Sequence, residues 1–167
     1  MIRASWIGSR SRPSVMSVSP EGLKITVDGA DPSITGLVTK ALAEALIGHG
    51  FNIVSGGTDN HSMLVDLRNK KINGKQAQLT LDEAHITSNK NAVPYDTESP
   101  LLTSGIRLGT PALTTRGFKE AEMKRVAGWI NAVISAPEDL KVREKVKGEI
   151  AELTKRMPLY PDLLKAI

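Results

Sequence analysis

The chain is 167 residues long, which excludes two large domains because one domain runs to about 100–200 residues. With 40% hydrophobic and 24% charged residues it has the apolar material for a core of its own, which implies a soluble globular class and excludes the composition of disorder. It contains no cysteine, excluding disulfides, thiolate metal sites and cysteine nucleophiles, and its net charge of +4 raises the question of an anionic partner.

The charge is not spread over the chain. Residues 1–20 carry Arg3, Arg10 and Arg12 and no acid, so the excess belongs to an N-terminal arm and the rest is close to neutral. With two Trp, two Tyr and two Phe and no aromatics set within a basic stripe, nothing invites base stacking, and nucleic acid is not an expected partner. The arm is rich in Ser and Arg and holds Pro13 and Pro20, a composition shared by transit peptides; an unstructured extension is the simpler reading, with cytoplasmic location expected and organelle targeting the alternative. Leu23, Ile25 and Val27 alternate with polar residues before Asp28-Gly29 and predict a short strand.

From Leu37 the apolar positions Val38, Leu42, Ala45 and Leu46 predict a helix closed by Gly48 and Gly50. Its apolar stretch Ala41–Ile47 is broken by Glu44 and falls far short of the ~18 consecutive residues of a membrane span. Phe51–Val54 and the alternating stretch from His61 to Leu67 predict two strands joined by the turn Ser55-Gly56-Gly57-Thr58-Asp59-Asn60. That turn is Gly-rich after a strand, the minimum for a phosphate cradle, but no Gly-Lys-Ser/Thr follows and the next residues alternate as a strand; a tight strand-to-strand turn is the better reading. Asn73 with Gln76 resembles a capping box and predicts a helix with Ala77, Leu81 and Ala84 on its apolar stripe. Ile86–Ser88 predicts a brief strand, Asn89–Leu102 with Pro94 and Pro100 a long ordered loop, and Gly105–Gly109 a strand.

After Gly117, the positions Met123, Val126, Ala127, Ile130, Val133 and Ile134 form a full amphipathic face. Ser135 and Glu138, with Pro137 between them, predict a second capping box opening a helix through Val142, Val146, Ile150, Leu153 and Met157, whose many charges form a solvated face. Together these elements predict an α+β (α/β) layer with a small antiparallel or mixed sheet covered on one side by the helices near 38–48, 74–84 and 119–134.

Few residues carry chemistry. His49, His61 and His85 are the only histidines and none stands at ligand spacing with another histidine or an acid, so no metal site is expected. His61, beside Asp59, is either catalytic or a structural histidine bonded to its turn. Arg107 lies in a short strand between Gly105 and Gly109. The glycines allow close approach of a backbone or a ligand, and the planar guanidinium presents two parallel donors to a carboxylate or phosphate. On the residues alone, a structural ion pair with an acid such as Asp66 stays open as the competing reading.

Five phrases occur together in one order: Ser55-Gly56-Gly57-Thr58-Asp59-Asn60-His61, Met63-Leu64-Val65-Asp66-Leu67-Arg68, Asn89-Lys90-Asn91 followed by Val93-Pro94, Thr103 to Ala112, and Thr114-Thr115-Arg116-Gly117-Phe118-Lys119-Glu120. In order and spacing they resemble the C-terminal small domain of serine hydroxymethyltransferase, over residues 38–167, while residues 1–37 match nothing in that family and form an unmatched arm with one short strand. The resemblance implies the C-terminal domain of a pyridoxal-phosphate enzyme of the aspartate-aminotransferase fold, which moves a one-carbon unit from serine to tetrahydrofolate, giving glycine and methylene-tetrahydrofolate. It implies that Arg107 holds the α-carboxylate of serine or glycine and that Asn91, Ser99, Pro100 and Leu101 touch the folate. It also implies a large-domain chain or a second copy as partner.

The departures are equally informative. No His-Lys pair occurs anywhere in the chain, so the Schiff-base lysine of the family is absent and pyridoxal phosphate is expected not to be bound by this chain alone. Leu101 stands where the family usually has an aromatic, Ala92 replaces a small hydroxyl residue, and His85 replaces a helix-ending glycine, which implies a left-handed residue carrying a side chain. The rival readings are a non-catalytic module binding a carboxylate, folate or the full-length enzyme, and a gene remnant without function.

Overall fold

The computed structural model describes residues 17–19, 22–24 and 32–159. Two short strands, β1 (Ser17–Ser19) and β2 (Gly22–Lys24), pair antiparallel with Val18 opposite Leu23. The strand predicted around Leu23 thus has its first residue in β2, whereas Ile25 and Val27 lie outside the described residues.

Helix α1 (Pro32–Gly48) begins a turn and more before the predicted start at Leu37. Proline is tolerated in a first turn, where its missing N–H has no intrahelical partner. The early turn escaped the apolar pattern because Ile34 and Leu37 are exposed, while the buried line runs through Thr35, Val38, Thr39, Leu42 and Leu46. The helix ends with Gly50 in the left-handed region, φ 76°, the Gly50 N–H donating to Ile47 O at 2.8 Å and Phe51 N–H to Leu46 O at 3.0 Å. This double bond pattern satisfies the last carbonyls.

Strands β3 (Asn52–Ile53), β4 (Ser62–Asp66), β5 (Asn89–Asn91) and β6 (Gly105–Gly109) form one sheet in the order β3-β4-β6-β5, antiparallel throughout. The mixed alternative is thereby excluded for this sheet. Ile53, Met63, Val65, Ile106 and Leu108 are buried with α1, with α2 (Gly74–Glu83) and with α4 (Glu120–Ser135) in a single core that also holds Leu42, Leu46, Leu81, Met123 and Ile130. α2 starts as predicted: the Asn73 side chain accepts from Gln76 N–H at 2.8 Å. α4 buries every residue of its predicted stripe, and its first turn is held by Lys119 N–H donating to Glu122 Oε2 at 2.9 Å.

Two predictions need correction, and two short elements go beyond them. The brief strand placed at Ile86–Ser88 is irregular, and pairing occurs instead at Asn89–Asn91, inside the segment read as loop. Those polar residues show no alternation, and their strand conformation comes from β6 alongside and from Lys90 N–H donating to Gln78 Oε1 at 2.9 Å. Ser135 does not open the last helix: it is the final residue of α4, and α5 (Leu140–Arg156) is capped by Asp139, which accepts from Lys141 N–H at 2.8 Å and Val142 N–H at 3.3 Å. An aspartate nearer the helix outcompetes the serine, and Pro137 occupies the link. Finally, a 3-10 turn (Arg68–Lys70) and the short helix α3 (Pro111–Thr115) carry no apolar period and were not expected.

Among the described residues no helix is long and apolar enough to cross a membrane.

Candidate functional site

The alternation Ile106-Arg107-Leu108 in β6 places the two apolar side chains in the core and sends Arg107 to the opposite face, where it is exposed. Arg107 stands opposite Leu64 of β4 on one side and Asn89 of β5 on the other, in the middle of that face. The flanking glycines are there for backbone approach. A Cβ on Gly105 would lie 2.7 Å from Val65 O and 2.7 Å from Val93 Cγ1, and one on Gly109 would lie 3.0 Å from His61 O. No ligand is needed to explain either glycine.

Arg107 lines an open cleft of about 590 Å³ together with Ser55–Asn60, Ser62, Leu64 and Asn91. Among the described residues no carboxylate lies within ion-pair distance of it. Asp66, the acid that could have neutralised it, belongs to Arg68: the Arg68 Nη2 and Asp66 Oδ2 atoms are 2.6 Å apart, Arg68 Nε donates at 3.0 and 3.1 Å, and Arg68 N–H donates to Oδ1 at 3.0 Å. These hydrogen bonds hold the Asp66 carboxyl below the usual carboxylate range against the opposing effect of burial. The structural ion pair therefore exists, but between the end of β4 and the 3-10 turn that follows it, and it does not engage the guanidinium of Arg107.

The turn that forms one wall of the cleft is self-satisfied, as a tight strand-to-strand turn should be. Ser55 Oγ donates to Gly57 O, Thr58 Oγ1 to Ser62 O at 2.8 Å, and Ser62 N–H to Asn60 Oδ1 at 2.9 Å, with Gly56 left-handed at φ 72°. A phosphate cradle needs free N–H groups at a helix start, and the residues after this turn enter β4. His61 is exposed, and among the described residues its side chain has no hydrogen-bond partner; its carbonyl accepts from Thr110 N–H at 3.2 Å. The bonded-turn reading of His61 is not what the structure shows. Among the described residues no group of three or more histidine and acidic side chains could hold a metal ion.

The residues tied to folate by resemblance separate into two groups. Asn91 shares the cleft with Arg107, its side-chain amide donating to Ala92 O at 2.9 Å. Ser99, Pro100 and Leu101 sit outside that cleft at the tip of the following loop; Leu101 is 75% exposed. The tip is ordered by Leu102 N–H and Thr103 N–H, both donating to Ser99 O at 2.9 Å, and by Lys90 Nζ donating to Pro100 O at 2.8 Å. The base of the loop rests on the start of α2, where Gly74 N–H donates to Thr103 O and Lys75 N–H to Leu102 O, each at 2.9 Å.

Sequence reasoning missed Asp96. Its two oxygens accept from Val93 N–H (3.1 Å), Glu98 N–H (3.0 Å), Ser104 N–H (2.8 Å) and Ser104 Oγ (2.6 Å). The Ser104 hydroxyl is the main reason this carboxyl is pushed far below its ordinary range. The only signal was an acid placed two residues after a proline, an Asx-turn pattern, within a stretch lacking periodicity.

The fit to pyridoxal phosphate is poor. Among the described residues no lysine lines the cleft; Lys90 is held on Pro100 O, and Lys70 donates to His49 O while stacking 4.2 Å over Phe51. A Schiff base with the cofactor aldehyde needs a lysine nitrogen in the site, and the described residues of the cleft offer none.

His85 has φ 63°. Its N–H donates to Asp82 O at 2.9 Å and Ile86 N–H to Leu81 O at 2.9 Å, so it fills the position that Gly50 fills after α1. This is the left-handed residue with a side chain that the resemblance implied.

Residues 36–130 match the family model for serine hydroxymethyltransferase. The chain is 60% identical over 121 residues to serine hydroxymethyltransferases of Polynucleobacter asymbioticus and Polynucleobacter necessarius, covering 72% of this chain and 29% of each relative. It is 54% identical over 121 residues to that of Acidobacterium capsulatum, covering 28% of it. The chain thus spans less than a third of the length of the curated relatives it matches.

Proposed function

Because this chain belongs to the serine hydroxymethyltransferase family, we propose that it is the C-terminal domain or a fragment of such an enzyme and supplies recognition of the amino-acid substrate. Arg107 binds the α-carboxylate of serine or glycine through two parallel N–H donors, which fixes the orientation of the substrate around its Cα. Asn91, in the same cleft, and Ser99, Pro100 and Leu101 on the loop tip form the edge that meets tetrahydrofolate. The conversion of serine and tetrahydrofolate to glycine and methylene-tetrahydrofolate is then an activity of a larger whole. This chain orients a carboxylate and supplies no electron sink.

One observation carries the reading: a guanidinium in the middle of a sheet face, with no acid among the described residues within ion-pair distance, opening into a cleft. Calorimetric titration with glycine and with ethanolamine tests it, since the second keeps the amine and lacks the carboxylate. Glycine should bind and ethanolamine should not. Equal heats from the two, or no heat from either, would remove Arg107 from the substrate site. The rival reading, a module that binds a carboxylate or folate without catalysis, predicts the same titration. It parts from the first when a large-domain chain is added and serine cleavage is followed.

A further inference from the structure

We infer that Asp96 is a positioning residue, which shapes the 93–104 loop and ties it to the strand presenting Arg107; for its ligand this rests on the folate reading of Ser99–Leu101.

One carboxylate gathers donors from both ends of the loop. Val93 N–H arrives from the start, Glu98 N–H from the middle, and the N–H and hydroxyl of Ser104 from the end. A carboxylate is the one side chain suited to this, because it offers acceptors only and its charge strengthens each bond. Ser104 is 3% exposed and directly precedes Gly105, against which Val93 Cγ1 is seated, so the loop closes onto the first residue of β6. Arg107 follows two residues later on the same strand.

The loop needs such a hold. Tyr95 and Thr103 both lie in the left-handed region, at φ 54° and φ 57°, where residues with side chains are disfavoured and persist only when their surroundings fix them. Both lie inside the segment that Asp96 gathers, one near each end. Ser99, Pro100 and Leu101 are all exposed, so burial at the tip does little to order it. Lys90 fastens Pro100 from the other side. A tip ordered before its ligand arrives loses less entropy on binding.

Amide hydrogen exchange and ligand titration on the whole chain, as wild type, Asp96→Asn and Ser104→Ala, test the inference. In the wild type the amides of Val93, Glu98 and Ser104 should be protected. Asp96→Asn turns an N–H donor toward those donors, so their protection should fall by about tenfold or more while Ile106 and Leu108 keep theirs. Tetrahydrofolate affinity should fall by about tenfold and glycine affinity by less than about twofold. Ser104→Ala, which removes only the hydroxyl, should fall between. Unchanged exchange in Asp96→Asn would overturn the inference. So would equal loss of both ligands with exchange rising in β6, which is the signature of general destabilisation. If the wild type binds no tetrahydrofolate, the folate reading and the ligand half of this inference fail together, and exchange alone decides whether Asp96 sets the loop.

Discussion

The two faces of the four-stranded sheet are built from the same strands and have opposite chemistry. On one face Met63, Val65, Ile106 and Leu108 are no more than 4% exposed, sealed in a core with α1, α2 and α4. On the other, Arg107 is exposed between Leu64 and Asn89, beside a polar cleft. Adjacent residues of β6 therefore differ in surroundings: Ile106 and Leu108 hold the fold together and Arg107 faces the cleft. Because the side-chain period of a strand is two, a shift of one residue in register would exchange the two sets. The tight contacts at Gly105 and Gly109 oppose any such shift.

This contrast predicts an ordered series of effects. Ile106→Ala, which empties a fully buried site, should cost about 2–5 kcal/mol and lower the melting temperature the most. Gly105→Ala brings a methyl group against Val65 O and Val93 and should cost about 1–3 kcal/mol, visible in denaturant unfolding as a lower midpoint. His85→Gly should raise stability by about 1 kcal/mol, since it removes a side chain from a left-handed residue while keeping both backbone bonds. An unchanged or lower midpoint would show that His85 makes a compensating contact.

Acid should act on the loop side. Asp96 and Asp66 are both held below the carboxylate's ordinary range of about 4, so the stability they contribute is present above that value and is lost as pH falls through their native values. Melting temperature should be level from about pH 7 to 5 and decline below about pH 4, with a shallower decline in Asp96→Asn. An identical acid slope in the variant would mean that Asp96 keeps its proton affinity on folding.

How much of this was legible follows the same division. The covered face was read well, because burial writes itself into spacing: the stripe from Met123 to Ile134 and the alternation about Arg107 are signals of repeated apolar contact. The other face was read only at Arg107, and through the family resemblance. β5 was invisible because Asn89-Lys90-Asn91 is polar on both sides and takes its shape from β6. α3 is too short for any period. Asp139 displaced the predicted serine cap because two side chains of similar capping strength stood close together, and helix ends depend on which one the chain path favours. Asp96 left almost no mark, since its partners are mainly backbone amides, which look alike in every sequence.

The central claim is that fold and ligand recognition are carried by interleaved residues of β6, and Arg107→Ala tests it with two readouts on one sample. Melting should change by no more than about 0.5 kcal/mol equivalent, as for an exposed residue with no side-chain partner among the described residues, while the glycine-induced shift of the Leu64 and Asn89 amide signals should vanish. A variant that melts much lower, or that still responds to glycine as the wild type does, would contradict the account.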